Sequence, residues 1–261
     1  MNDLDFFEQL QIMSSIQEDD SDKYRAMCNR IVDIFKGLPE RVQEVTWFAE
    51  LTRNLDPQIL LDHDCFMVQP DTPSTILPKD LIDDGTGFTK DSFIVYDGRF
   101  VYPVKDVHGD VMGWCGYDMF DPPKYLDSKT YGYKAKQTTL FGMEKLEEYY
   151  RSKEPVFVTE GIVCTMWLRQ EGFQAMASLG SHLTPYVVEI LKRFGERLIM
   201  VPDSDEAGNS YKQQCKHVLP KARVMQSTVA KDIDDSRKEN NNIKTELLKC
   251  YNRFYASPLF R

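Results

Sequence analysis

Leu198-Ile199-Met200-Val201-Pro202-Asp203-Ser204-Asp205-Glu206-Ala207-Gly208 is the stretch on which the fold turns. Four apolar residues, stopped by a proline, then acids, then a helix-forming segment, describe a strand buried on both faces that feeds a helix. The same grammar occurs upstream, where Val156-Phe157-Val158 runs through Thr159 into Glu160 and Gly161. A helical segment, Ile162 to Gln170, separates it from a second apolar run, Gln174-Ala175-Met176-Ala177. Another helix begins near Thr184-Pro185, one follows from Ala207 to His217, and Ala222-Arg223-Val224-Met225 closes the series. Short apolar strands alternating with helices predict an α/β fold, a parallel sheet flanked by helices.

In such sheets ligands gather at the carboxyl ends of the strands, so the residue after each apolar run carries the most information. Here those residues are acidic: Glu160 after the first strand, Asp203 and Asp205 after the third, and Asp232-Ile233-Asp234-Asp235 after the fourth. Carboxylates from three loops meeting at one sheet edge repel unless a hard cation lies among them. Magnesium suits that need, because it takes oxygen ligands and keeps waters and phosphates in its shell. Residues two apart in an extended segment point the same way, which favours the Asp203/Asp205 spacing. For any one of these acids alone, a turn or helix-cap role is the simpler reading.

Upstream the character changes. Residues 61–150 read as β-rich, with apolar runs at Phe93-Ile94-Val95-Tyr96 and Phe100-Val101-Tyr102-Pro103-Val104 around an Asp97-Gly98 turn, and a second turn at Val107-His108-Gly109-Asp110. The tail of this region carries Lys124, Lys129, Lys134 and Lys136 interleaved with Tyr125, Tyr131 and Tyr133, charge for phosphates and rings for bases. Residues 1–60 place apolar side chains at helical spacing and predict a small helical region. Residues 151–236 hold the carboxylates, and 237–261 read as a polar linker with a short helix. The division is thus 1–60, 61–150, 151–236 and 237–261.

Composition sets limits. Hydrophobic residues at 42% and charged residues at 28% are ordinary for a globular chain, which excludes wholesale disorder. A net charge of -9 argues against a protein that coats nucleic acid without selectivity. The acidic start, with Asp3, Asp5 and Glu8, and the lack of a long apolar run predict a cytoplasmic protein with no membrane contact. Six cysteines without a CxxC or CxxH pair predict neither a zinc site nor a disulfide framework, so no zinc is expected. His63, beside Asp62, Asp64 and Cys65, lies away from the strand-end acids and reads as an ordinary surface or core histidine.

Thr159-Glu160-Gly161, Ser178-Leu179-Gly180-Ser181, Val201-Pro202-Asp203-Ser204-Asp205-Glu206-Ala207-Gly208 and Lys231-Asp232-Ile233-Asp234-Asp235 resemble the Toprim domain of DnaG-type bacterial and phage primases. Topoisomerases and nucleases share the Toprim Glu and DxD. The upstream segments Gly98-Arg99-Phe100-Val101-Tyr102-Pro103-Val104-Lys105-Asp106, Gly109-Asp110-Val111-Met112-Gly113-Trp114, Pro123-Lys124-Tyr125-Leu126-Asp127-Ser128 and Leu140-Phe141-Gly142 resemble the primase-specific part that precedes it.

The resemblance implies a Toprim parallel sheet preceded by a smaller, basic, mixed α/β subdomain, with a shallow cleft between them. It implies primer synthesis from ribonucleoside triphosphates on a single-stranded DNA template, with magnesium, or manganese in its place, as cofactor. Glu160, Asp203 and Asp205 match catalytic positions; with Asp232 and Asp234 they match the metal ligands. Arg99, Lys105, Lys124, Tyr125 and Lys136 match template- or nucleotide-binding positions. Two departures stand out: Cys164 replaces an Asp found four residues after the motif glutamate, and Tyr117 replaces an arginine after the glycine-rich strand. A replicative helicase and a separate zinc-binding protein are the partners implied for a compact, phage-encoded or split primase. A Toprim nuclease and a noncatalytic replication accessory are the rival readings.

Overall fold

Tyr24, Cys28, Ile31, Val32 and Phe35 recur at the spacing that puts side chains on one helix face, and in the computed structural model they are the buried stripe of α1 (Asp19–Lys36). The structure describes residues 19–50, 54–70, 76–82, 98–118, 120, 122–127, 139–226, 231–238 and 243–255. The chain divides into two compact units, Met1–Glu44 with His63–Ala135, and Val45–Asp62 with Lys136–Arg261. Further helices of the N-terminal half are α2 (Arg41–Phe48), α3 (Pro57–Asp62) and α4 (Lys79–Ile82). No helix among the described residues is long and apolar enough to cross a membrane.

The first unit is built on an antiparallel sheet in the order β1 (Phe66–Met67), β2 (Phe100–Lys105), β3 (Val111–Tyr117), β4 (Tyr125–Asp127). The buried stripe of α1 packs in one cluster with Phe66, Val68, Val101, Val111 and Trp114. Phe35 and Phe66 stack at 4.3 Å between ring centroids, a contact worth about 1 kcal/mol beyond the area it buries. Every residue of β3 is buried, so this strand lacks the in-out alternation of a half-solvated sheet.

The turn joining β2 to β3 is fixed by side chains. Asp106 Oδ1 accepts the backbone N–H of His108 at 2.8 Å and of Asp110 at 3.1 Å, an Asx-type turn. From α1, Asn29 donates to Asp110 at 3.0 Å and accepts the N–H of Val111 at 2.8 Å, which locks the hairpin to the helix. The Phe93–Tyr96 run and the basic residues after Asp127 lie outside the described residues.

The second unit carries a parallel sheet in the order β6 (Gln174–Ala177), β5 (Val156–Thr159), β7 (Leu198–Val201), β8 (Arg223–Val224). The chain first crosses from β5 to β6 on one side, then returns to place β7 on the other. The gap beyond the carboxyl ends of β5 and β7 is therefore a topological switch point, where open α/β sheets bind ligands. Thr159 pairs with Ala177 and Val201, so the three central strands end level. The mixed architecture, a parallel sheet flanked by helices and a separate antiparallel sheet, is the one expected.

Helices make the crossovers: α6 (Ile162–Gln170) leads to β6, α7 (Pro185–Lys192) towards β7, and α8 (Glu206–Val218) to β8. Seven consecutive residues of α6, Ile162 to Leu168, are buried. Such a helix is covered all round, in part by α3, where Asp56 accepts the N–H of Gln58 at 2.9 Å and passes its own N–H to Gln170 at 2.7 Å. Thr184 caps α7, with Pro185 in the first turn, where a missing N–H costs nothing.

Between the units' sheets in sequence lies α5 (Leu146–Ser152); after β8 come α9 (Ile233–Lys238) and α10 (Ile243–Tyr255). Phe141 bridges Ala177 through two backbone hydrogen bonds of 2.9 and 3.0 Å, extending the edge of β6. The short C-terminal helix is held by Lys244 to Glu171, Tyr251 to Glu154 and the Tyr251 ring against Phe173.

Candidate metal centre and nucleic-acid interface

Val201-Pro202 ends β7 and Asp205 starts α8, so the turn between them must reverse the chain within three residues. Asp205 Oδ1 accepts the N–H of Gly208 at 2.8 Å, capping α8. Gly208 allows the turn to close: a Cβ built there would sit 2.0 Å from the carbonyl oxygen of Asp203. The closed turn aims the N–H of Asp203 across the switch point, where it donates to Glu160 Oε1 at 2.9 Å. Glu160 and Asp203, from adjacent strand ends, are thus brought together.

The loop before α9 completes the group. Ser204 donates its N–H to the carbonyl of Lys231 at 2.5 Å, and Lys231 Nζ lies 3.2 Å from Asp205 Oδ2. Gln226 donates to the carbonyl of Asp203 at 2.6 Å. Asp232 Oδ1 accepts the N–H of Asp235 at 2.8 Å, starting α9. Asp203, Asp232, Cys164 and Thr159 line one small cavity of about 10 Å³ with Val201, Pro202, Met225 and Ile233, at the lower limit for a single water.

Electrostatics separates the acids. Burial, then the charges of Glu160, Asp232 and Asp205, push the Asp203 carboxyl up to about 7, against the pull of Lys231. Glu160 is raised by burial, against the hydrogen bond from Asp203, with Asp205 adding to the rise. Burial raises Asp232 as well. Asp205 moves the other way, lowered first by the Gly208 N–H and further by Lys231. Lys231 is raised, chiefly by its hydrogen bond to Asp205. Three carboxyls therefore resist ionisation, first because burial penalises their charge and then because they neighbour other acids, a pattern that a bound cation would relieve.

All these donors are hard oxygens, which fits magnesium or manganese rather than a soft metal. Among the described residues no three His, Cys, Asp or Glu side chains already converge as a metal cage. Magnesium needs only one or two carboxylates when waters and phosphates complete its shell, and Glu160 with Asp203 supplies that pair. Asp234 is 4% exposed, its N–H directed at the Cys164 sulfur, and Asp232 is the member of its loop that lines the cavity with Asp203. Cys164 is buried, and burial and the charges of Asp232 and Asp203 keep its thiol protonated.

The nucleic-acid candidates divide. Lys124 and Tyr125 are exposed on the first unit's sheet. Arg99, expected to meet phosphates, is 5% exposed; it donates to the carbonyl of Pro123 at 2.8 Å and lies 4.0 Å from Asp118. Lys105 is turned to Asp64 at 2.5 Å, an acid also held by Lys36 at 2.8 Å. Burial alone would raise Asp64, but the hydrogen bonds from Lys105 and Lys36 outweigh it and hold it below the usual carboxylate range. Lys136 lies outside the described residues. No role was expected of Lys231, although it stands inside a quoted motif.

Comparison with known proteins agrees with this geometry. A family described as Toprim-like matches residues 157–237, the segment from β5 through α9. The carboxylate-bearing part of the chain is therefore similar to that Toprim-like family. DNA primase of Listeria innocua is 28% identical over 148 residues, covering 54% of this chain and 24% of the relative. DNA primase of Aquifex aeolicus is 29% identical over 149 residues, covering 56% of this chain and 29% of the relative. The chain thus matches less than a third of the length of these relatives.

Among solved structures, a DnaG catalytic core aligns with a TM-score of 0.67 at 21% identity, over 85% of this chain and 78% of that one. The RNA polymerase domain of Mycobacterium tuberculosis primase DnaG aligns with a TM-score of 0.68 at 19% identity, over 89% of this chain and 83% of that one. A DnaG primase catalytic domain bound to ssDNA aligns at 0.66 and 21%, over 85% and 79%. The chain resembles DNA primases over part of its length and shares the fold of the DnaG catalytic core.

Proposed function

We propose that the chain is a DNA-dependent RNA primase core, joining ribonucleoside triphosphates on single-stranded DNA. The observation that carries this reading is the Asp203 N–H to Glu160 contact, which joins two strand-end acids that both resist ionisation, at the switch point of a parallel sheet. Its relatives are DNA primases, and one structural neighbour holds single-stranded DNA.

Glu160, Asp203 and Asp232 would hold magnesium or manganese, which supplies positive charge for a triphosphate and its departing pyrophosphate. Glu160 is oriented by the Asp203 N–H, so its free oxygen is presented to the ligand rather than left to rotate. Asp205 has one oxygen committed to Gly208 and the other to Lys231, so its part is to hold α8 and the Lys231 loop in place. In the reaction a primer 3′-hydroxyl oxygen bonds to the α-phosphorus of the incoming nucleotide, the bond to the bridging oxygen breaks, and pyrophosphate leaves. The chain's share is positioning and charge, with no side chain as nucleophile. A replicative helicase and a separate zinc-binding protein are the proposed partners.

Primer synthesis on mixed single-stranded templates with magnesium or manganese tests the proposal. Wild-type protein should give short ribonucleotide products, and Glu160→Gln should lower their yield by about 100-fold or more. Equal product from both proteins removes Glu160 from the machinery. Cleavage of the template without ribonucleotide incorporation replaces the proposal with a nuclease.

A further inference from the structure

Thr159, the last residue of β5 and the one before Glu160, is buried, and so is Thr165 in the first turns of α6. Val156-Phe157-Val158 precede Thr159 in the strand, and a valine in its place would fill the same space with no hydroxyl to satisfy. The Thr159 hydroxyl instead donates to the carbonyl of Gly161 at 2.8 Å, a bond that spans Glu160. Its one hydrogen is thereby committed, so the Thr165 hydroxyl, 2.7 Å away, is the donor between the two threonines. The Thr165 N–H reaches the same Gly161 carbonyl at 3.3 Å. On the other flank the Thr159 carbonyl accepts the N–H of Ser178 at 2.9 Å, and Ser178 Oγ donates to the carbonyl of Gly180 at 2.8 Å.

The residue after Glu160 has little else to hold it. Gly161 is the N-cap of α6 with no side chain to cap the helix, and a Cβ built there would meet nothing within 4 Å. A glycine without packing contacts is where a turn moves most freely. At its far end Glu160 is held by the Asp203 N–H, but its backbone needs a separate restraint. We propose that Thr159 and Thr165 form a buried hydroxyl clamp that positions Glu160 towards the divalent cation. Both are positioning residues: Thr159 fixes the Glu160–Gly161 turn, and Thr165 acts through Thr159 by orienting its hydroxyl. The inference rests on the primase reading of Glu160 as a metal-holding acid and adds what sets its direction.

The test is the magnesium-induced rise in melting temperature of the full chain, without nucleotide or DNA, measured beside primer synthesis. Thr159→Val should raise the magnesium concentration at half-maximal stabilisation roughly tenfold or more and lower kcat with nucleotide KM little changed, and Thr159→Ser should restore both. Thr165→Val should shift the half-point in the same direction. Because Thr165 acts through Thr159, the double variant should be no worse than Thr159→Val alone. Thr139→Val removes a buried hydroxyl elsewhere in the same unit and should leave the half-point in place, whatever it does to metal-free stability. An unchanged half-point in Thr159→Val and Thr165→Val, a fully additive loss in the double variant, or an equal shift in Thr139→Val overturns the clamp. If Thr159→Val does not fold, Thr165→Val against Thr165→Ser decides the matter. Since the melting experiment contains no nucleotide, a shifted half-point in a chain that makes no primer sustains the clamp and removes the primase reading. Primer synthesis with an unshifted half-point does the reverse.

Discussion

A methyl group added at Gly208 would lie 2.0 Å from Asp203 O, 2.7 Å from its carbonyl carbon and 2.9 Å from its nitrogen. All three neighbours are backbone, so no side chain can swing away, and the turn between β7 and α8 must open. Gly208→Ala is expected to cost about 2 kcal/mol, read as a lower urea midpoint, and to weaken primer synthesis by displacing the Asp203 N–H from Glu160. Full activity with unchanged stability would show that the turn tolerates opening. Cys164 poses the opposite question, since the family's Asp is absent there. In a buried site beside Asp203 and Asp232, Cys164→Asp should destabilise the metal-free chain by about 3 kcal/mol or more. Magnesium should restore much of that loss if the new carboxylate reaches the same ion; a metal-independent urea midpoint would place it elsewhere.

Elements differ in how far the chain announces them. Strands β5 and β7 were legible because each is a short apolar run leading into an acid, and Glu160 and Asp203 stand where that grammar predicts. Strand β1 was not legible: Phe66 and Met67 form a strand only by pairing with Val101 and Phe100, a partner more than thirty residues away. Arg99 and Lys105 show a related limit, because a cation in a motif looks alike whether it meets a phosphate or lies, as here, against Pro123 and Asp64. Helix α6 shows what burial adds. Its Arg169 donates to the carbonyl of Ala175 at 2.9 Å and of Gly142 at 3.4 Å, and lies 3.5 Å from Glu144. It thereby ties the helix to β6 and to the 139–142 segment. Arg169→Met should leave these acceptors stranded and cost about 3 kcal/mol, measured by urea unfolding, with Lys145→Met as an exposed control that changes little.

At the scale of the whole molecule, the frustrated carboxylates couple global stability to pH and to metal. An Asp203 carboxyl freed by unfolding loses its proton near pH 4, whereas in the folded chain it does so near 7. Between those values the folded state holds the extra proton. Its contribution is therefore fully present below pH 4 and is lost as pH rises through 7. Glu160 and Asp232, both raised, act in the same direction. In the metal-free chain the melting temperature should fall from pH 5 to pH 8, more so than in Asp203→Asn, whose side chain does not titrate. Bound magnesium stabilises only the ionised site, so its increment to the melting temperature should grow over the same interval and shrink in Asp203→Asn. Parallel pH profiles for the two proteins, with and without magnesium, would detach Asp203 from the ion. A magnesium increment that is large in wild type at pH 8 and small at pH 5 would instead make the net charge of -9 intelligible, because part of it is held for a cation.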